Sequence, residues 1–210
     1  TEINNYRNPS GSLIQPLAKP GDIKYIDLNS DGKIDANDRD IIGNPTPNFT
    51  YGITINAAYK NFDFVMLGTG VTGNQIFNAT RRFDLPFSNY NKSILNRWVG
   101  EGTSNRIPRL NLDDADETKG NNNYNRSSNL FLEDGSYFRI KTIQIGYALP
   151  KALVQKAGLN KVRFYIMANN LVTLTKYTGF DPEIGGASYG VDRGFYPQAR
   201  TYFAGLNVSF

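Results

Sequence analysis

The sequence predicts an all-β chain: strands of an antiparallel up-and-down transmembrane β-barrel joined by long extracellular loops. Three observations predict this. Segments of about ten residues alternate apolar and polar side chains with a period of two. The connections between them are by turns short and long. Tyrosines also sit near the ends of the apolar faces, at Tyr51, Tyr59, Tyr147 and Tyr202, as an interfacial aromatic girdle requires. A soluble β-sandwich is the competing architecture. It also alternates, but it rarely sorts its loops by length.

The first segment, 1–47, is expected to be an extracellular loop region carrying an acidic loop at 27–38. A barrel hairpin follows at 48–71. In Phe49–Tyr59 the residues Phe49, Tyr51, Ile53, Ile55, Ala57 and Tyr59 share one parity. Phe62, Phe64 and Met66 repeat it beyond Lys60-Asn61. A two-residue turn there places Tyr59 opposite Phe62, Ala57 opposite Phe64 and Ile55 opposite Met66. Residues 72–135 are then expected to form a long extracellular loop, in which 93–98 reads as a short helix with Leu95 and Trp98 facing inward. Asn121, in an Asn-rich stretch of that loop, is expected to be accessible from outside.

A strand pair is expected over 136–172. In Ser136–Ala148 the apolar parity changes between Ile140 and Ile143, and this slip near Thr142 indicates either a β-bulge or a change in what the strand faces. Residues 150–160 form a moderate connection with room for a helical turn. Lys161–Leu171 alternates again, with Val162, Phe164, Ile166 and Ala168 on one side. Residues 173–199 form a second long extracellular loop, and 200–210 a last strand ending on Phe210. The parities assign Tyr51, Ile53, Ile55, Tyr59, Phe62, Phe64, Val162, Phe164, Ile166, Leu206 and Val208 to the lipid side. They assign Asp63, Arg139, Lys141, Arg163, Asn169 and Asn207 to the lumen. These five strands fall short of the roughly eight of the smallest transmembrane barrels. Open edges have no partners in lipid. The remainder of the barrel is therefore expected as a partner.

Composition narrows the chemistry. The 210 residues include no Cys and no His. That excludes disulfides, thiolate metal sites, a Cys nucleophile and the commonest general base. A mean hydropathy of −0.45 leaves no apolar run of a transmembrane helix. The net charge of +4 is spread along the chain, so no nucleic-acid partner is expected. No targeting signal is visible at the start, Thr1. The loops carry many aromatics, among them Phe77, Phe83, Phe87, Tyr90, Trp98, Tyr124, Tyr177, Phe180, Tyr189, Phe195 and Tyr196. These read either as stacking platforms for sugars or peptides, or as packing between loops. The carboxylates Glu133, Asp134, Asp181 and Glu183 show no spacing that demands acid–base chemistry. No enzymatic activity is expected.

The most specific motif is 27–38, DLNSDGKIDAND. Its spacing matches an EF-hand calcium loop. Calcium takes six to eight hard oxygen ligands. Asp27, Asn29 and Asp31 would supply side-chain oxygens, Lys33 its carbonyl, Asp35 a direct or water-mediated contact, and Asp38 would close the loop. Gly32 permits the sharp turn and Ile34 points inward. Asp in place of Glu at the last position shortens the reach and can admit magnesium. The other reading is a metal-free turn rich in Asx hydrogen bonds.

In order along the chain stand Gly21-Asp22-Ile23-Lys24-Tyr25-Ile26-Asp27, Ile41-Ile42-Gly43 and Tyr59-Lys60-Asn61-Phe62-Asp63-Phe64. They are followed by Asn96-Arg97-Trp98, Leu132-Glu133-Asp134-Gly135-Ser136-Tyr137-Phe138-Arg139, Gly146-Tyr147-Ala148-Leu149-Pro150, Asn169-Asn170-Leu171, Thr178-Gly179-Phe180-Asp181-Pro182-Glu183 and Gly205-Leu206-Asn207-Val208-Ser209-Phe210. Together these resemble the C-terminal region of SusC/RagA-type TonB-dependent outer-membrane transporters. The resemblance implies the last strands of a plugged barrel of about 22 strands, multi-pass in the outer membrane of a Gram-negative bacterium. It implies uptake of glycans, or of peptides, with a SusD-like surface lipoprotein and with TonB as energy source. The plug and TonB-contacting segment are N-terminal in that family and absent here. It also implies that the terminal aromatic, Phe210, is read by the barrel-assembly machinery. The alternative function is a calcium-stapled surface glycan-binding β-protein.

Overall fold

The computed structural model describes residues 2–80, 92–113, 116, 118–184 and 189–210. Phe83, Phe87 and Tyr90 lie outside the described residues. The chain divides into two compact units, Thr1–Gly43 with Ala79–Leu132, and Asn44–Asn78 with Glu133–Phe210.

The second unit contains the strands β1 (Phe49–Tyr59), β2 (Phe62–Thr72), β3 (Gln75–Asn78), β4 (Leu132–Asp134), β5 (Tyr137–Ala148), β6 (Lys161–Thr175), β7 (Val191–Asp192) and β8 (Thr201–Ser209). The five long strands form one antiparallel sheet in the order β1-β2-β5-β6-β8. Each long strand therefore pairs with the next long strand in the chain, the up-and-down pattern that the alternating connections predict. Tyr59 faces Phe62, Ala57 faces Phe64 and Ile55 faces Met66, so the hairpin has the expected register. Lys60, at φ 54°, makes the tight turn.

The phase slip in β5 is a bulge centred on Lys141. Leu67 pairs with Thr142 and Gly68 with Ile140, so Lys141 has no partner on β2. On the other side Ile140 pairs with Val172 and Thr142 with Asn169. Lys141 thus meets two unpaired residues of β6, Asn170 and Leu171, and Asn170 takes the left-handed conformation at φ 51°. The extra residue returns Ile143 to the face that Ile140 occupies. Pairing resumes beyond it, so β6 runs on to Thr175. This is farther than the simple alternation through Leu171 indicates.

The register sorts the side chains into two faces. Ile55, Met66, Ile143, Ala168 and Tyr202 fall in one cross-strand row, and Tyr59, Phe62, Tyr147, Phe164 and Leu206 in another. This face is apolar across the whole sheet, and its members Tyr59, Phe62, Ile145, Phe164, Ile166 and Leu206 are exposed. A sandwich would cover it with a second sheet. Aromatics gather at both ends: Phe62 against Tyr147 at 4.6 Å between ring centroids, and Tyr51 stacked on Phe138 at 6.0 Å. Gly70 stands between the strands of that second pair, beneath the Tyr51 ring. The opposite face carries Asp63, Arg139, Lys141, Arg163, Asn169 and Asn207.

The short connections, Lys60-Asn61 and the one-turn helix α1 (Lys151–Val154) with its 3-10 extension Gln155–Ala157, lie at one end of the sheet. The long connections leave from the other. They are not bare loops. β3 and β7 pair in parallel within a three-stranded sheet that also contains β4. Strands of two to four residues are too short to show a periodicity.

The first unit has little regular structure. Its buried residues include Ile3, Ile14, Ile94, Tyr124 and Phe131, and also Gln15, Asn121, Asn122 and Asn123. The short helix is a 3-10 turn, Lys92–Asn96, and it buries Ile94. Leu95 instead points outward, 73% exposed, because the turn's contact side falls on its neighbour. Trp98 covers Gly21, whose φ of 89° and contact with the indole leave no room for a side chain. Asn121 is also not accessible as expected, being 8% exposed. Its amide binds Gln15, the Ile23 carbonyl and Asn123. Asn123 in turn accepts from the Ile23 N–H and donates to Asp22. Buried amides persist when they find partners, and Asn121 and Asn123 form a hub of the unit, while the buried Asn122 Oδ1 has no partner.

Candidate functional site

The polar face of the sheet gathers the charges. Arg163 on β6 reaches Asp63 on β2 with two hydrogen bonds, Nε to Oδ1 at 2.8 Å and Nη2 to Oδ2 at 2.5 Å. The strand between them offers Gly146 at the crossing point. A Cβ there would meet both the guanidinium and the carboxylate.

Near the long-loop end a second cluster forms. Arg139 is 3% exposed. Its Nε donates to Thr173, its Nη1 to Glu183 and its Nη2 to Asp181. Lys141 joins it on Glu183 at 2.5 Å. The bulge thus adds a second cation to the same carboxylate. Asp181 also accepts from the backbone N–H groups of Glu183 and Gln198. Burial alone would push the Asp181 carboxyl up, but the Arg139 guanidinium and the two N–H groups outweigh it and hold it below the usual carboxylate value.

The described stretches 177–184 and 189–198 are tied down elsewhere as well. The Tyr177 hydroxyl donates to Asp192 at 2.5 Å. Glu133, 7% exposed, accepts from Asn78 and from both the N–H and the hydroxyl of Thr178. Phe77 N–H donates to the Gly190 carbonyl. Of the four carboxylates singled out in the sequence, Glu133, Asp181 and Glu183 fix this segment, and Asp134 accepts from the Ser136 N–H. They work as anchors, and two of them, Asp181 and Glu183, converge on the Arg139 guanidinium. Against this anchored frame Phe180, Tyr189, Phe195 and Tyr196 are exposed, whereas Tyr177 is buried.

The acidic loop sits in the first unit and forms part of the wall of a cavity of about 1600 Å³, with Leu28, Ile34, Asp35 and Asp38 among the lining residues. Its side chains hold its own backbone. Asp27 accepts from Asp31 and Gly32 N–H, Asn29 from Asp31 N–H, and Asp31 from Lys33 N–H. Asp38 accepts from Leu28 and Asp35 N–H, while Asp35 caps a 3-10 turn, Ala36–Asp38. Gly32 adopts φ 83° at the turn. Among the described residues no group of three or more Asp, Glu, His or Cys is placed to hold a metal ion. A carboxylate that accepts one N–H keeps lone pairs for a cation. The donor set is one of hard oxygens, and it suits calcium or magnesium in chemistry and spacing. In this conformation it is spent on Asx turns.

No protein-family model matches the chain. Curated relatives do. TonB-dependent receptor P3 of Formosa agariphila is 34% identical over 201 residues, covering 91% of this chain and 19% of the relative. TonB-dependent receptor SusC of Bacteroides thetaiotaomicron is 28% identical over 198 residues, covering 91% and 18%. The chain spans about a fifth of the length of the curated relatives it matches. Among solved structures, the RagAB peptide transporter superposes with a TM-score of 0.65 at 28% identity, over 85% of this chain and 19% of that one. The RagAB peptide importer in its open-open state gives 0.59 at 29% identity, over 79% and 17%. The resemblance read from the motifs and the barrel-type antiparallel fold both agree with these relatives.

Proposed function

From the premise that this chain is related in sequence and fold to TonB-dependent receptors of the SusC and RagA type, we propose that it forms part of the barrel wall of an outer-membrane nutrient importer. The observation that supports this most is the two-faced sheet. One side is apolar and largely exposed, as a surface against lipid must be, although two of its members, Val162 and Ala168, are buried at 8% exposure. The other carries paired charges and the anchored segment, as a lumen wall would. Both outer edges of the sheet, on β1 and β8, lack a neighbour among the described residues. The rest of the barrel would supply those strands.

In this reading the short connections face the periplasm and the long ones the exterior. The imported nutrient is a glycan, or a peptide. A SusD-like lipoprotein meets the exterior loops, and TonB acts through a plug outside this chain. Import consists of binding, gating and passage, with no bond made or broken. Cells lacking the gene should lose uptake of a fluorescent oligosaccharide or peptide that wild-type cells import, and the protein should fractionate with the outer membrane. Recovery in the soluble fraction without detergent, or uptake unchanged for both classes, would overturn the reading.

We further infer that the acidic loop takes a divalent cation through Asp27, Asn29, Asp31, the Lys33 carbonyl, Asp35 and Asp38. The support is the twelve-position spacing and the Gly32 turn. The cation would staple a surface loop and take no part in transport chemistry.

A further inference from the structure

We propose that the short-connection end of the sheet is a docking surface for the anionic headgroups of membrane phospholipid, with Lys60, Lys151, Lys156 and Lys161 as the charges and Leu153 as the apolar anchor. The proposal rests on the barrel-wall reading, in which this end faces the periplasm and a phospholipid leaflet, and it specifies the lipid that the wall selects there.

Register sets the level of these groups. Tyr59, Phe62, Tyr147 and Phe164 share one cross-strand row on the apolar face. Lys60 follows Tyr59 directly, and its ammonium stands 5.2 Å from the centre of that ring. The next connection starts at the same level, where Ala148 N–H donates to the Asn61 carbonyl at 2.8 Å. It returns where Asn160 N–H donates to the Ser209 carbonyl at 2.8 Å and Lys161 pairs with Ser209. Lys161 lies three residues beyond Phe164, about 10 Å along the strand. A lysine stem and the headgroup layer together span that distance. A headgroup layer asks only that charges share a level, whereas a compact ligand needs them to converge on one point.

The connection between Ala148 and Lys161 is held on the sheet. Its helical turn α1 packs against β6, and Val154 is 3% exposed. Gly158, at φ 72°, closes the turn, and Leu159 N–H donates to the Val154 carbonyl at 3.1 Å. With Val154 turned in, Lys151 and Lys156 are exposed and Leu153 is 58% exposed. An aliphatic side chain between two lysines, beside a row of aromatics, is the composition of an interfacial segment.

Charge selects the lipid. Residues 148–162 contain three Lys and no Asp or Glu. Asp63, on the neighbouring strand, is held by Arg163. At the opposite end Arg139 and Lys141 have Asp181 and Glu183 as partners. The ion pairs of the sheet therefore take none of the four lysines among the described residues. Their charge is left for an anion of the membrane surface. Phosphatidylglycerol and cardiolipin carry one; a zwitterionic lipid offsets it with a cation.

The test uses the full-length protein carrying this chain, purified in detergent and reconstituted into phosphatidylcholine vesicles. Leu153→Cys is labelled with an environment-sensitive fluorophore; this chain has no native Cys. Brominated phosphatidylglycerol or brominated phosphatidylcholine is then added as quencher at equal small mole fractions. Phosphatidylglycerol should quench about fivefold more effectively, the scale of one lysine at an anionic surface. Lys60→Gln, Lys151→Gln, Lys156→Gln and Lys161→Gln combined should bring the ratio to about one. Lys176→Gln, just past the other end of β6, should leave it unchanged. Equal quenching by the two lipids without the Gln changes, or a preference that survives the combined variant, overturns the proposal. So does a preference that inorganic phosphate removes and sodium chloride at equal ionic strength preserves, since the site would then be one for free phosphate. Absence of quenching by both lipids places Leu153 outside the membrane and also overturns it. In each case an assembled barrel leaves the import reading standing. A wild-type protein absent from the outer membrane overturns the import reading itself. Unboiled gel mobility of each variant shows that the barrel has folded.

Discussion

Arg163 binds Asp63 across an intervening strand, over the bare backbone of Gly146. β2 and β6 are not paired as neighbours in the sheet, yet this side-chain pair joins them on the polar face. Ala at position 146 would fall on the end of the guanidinium and swing it away. Gly146→Ala is therefore expected to cost about 1 kcal/mol, the scale of a partly exposed ion pair. Asp63→Asn should cost about the same, and the two together little more than either. Urea titration of the folded barrel, followed by gel mobility, measures this cycle; full additivity would show that Gly146 does not serve the pair.

Ile166 and Met167 are neighbours on opposite faces of β6, opposite Ala204 and Phe203 respectively. Ile166→Arg is expected to destabilise the barrel by about 2–4 kcal/mol near mid-membrane, and Met167→Arg by much less. Assembled yield in the outer membrane compares the two directly. Equal tolerance would contradict a lipid-facing role for the apolar face.

The two ends of the sheet should lie on opposite sides of the membrane. A cysteine replacing Arg193 should react with an impermeant maleimide on intact cells. One replacing Lys60 should react only after permeabilisation. The reverse pattern would invert the orientation.

The Asp38 carboxyl is held below its ordinary 3.8, first by the Asp35 N–H it accepts and then by that of Leu28. Its folded value is depressed, so its contribution to the loop is present above the unfolded value and disappears as pH falls through the folded one. Amide exchange at Leu28 and Asp35 should accelerate as pH drops below about 4, after correction for intrinsic rates. Asp38→Asn should remove that acceleration.

Calcium titrated into the protein should give a saturable heat that Asp31→Ala abolishes. The same variant should speed proteolysis near residue 31 and leave the assembled barrel intact. A flat titration in the wild type would mark the loop as a metal-free Asx turn.

The long strands were legible because burial on one face imposes a period of two, and the hairpin register follows once Lys60-Asn61 is recognised as the turn. The phase slip near Thr142 was legible too, but only the pairing decides for a bulge over a change in what the strand faces. The anchored segment was not. Asp181 lies 42 residues from Arg139, and no local pattern links a loop carboxylate to a particular strand cation. The Asn121–Asn123 run misled in the other direction. Polarity suggests exposure, but Asn121 and Asn123 are buried because their amides find partners, and Asn122 between them is buried with its Oδ1 unpaired. In the 92–96 turn the choice between Ile94 and Leu95 depends on helical phase, which five residues do not determine.

The bulge at Lys141 also divides the sheet into two zones of pairing. Below it every partner is fixed by the Tyr59–Phe62 hairpin; above it the register is reset by one residue on β5 and two on β6. A change in strand length above this line need not propagate to the lower rows. The upper zone, with its anchored segment, is thus a natural seam for exchange. A relative's upper strands and loops grafted at Lys141 and Asn170 would inherit a lower wall already in step, so recognition can diversify while the wall stays constant.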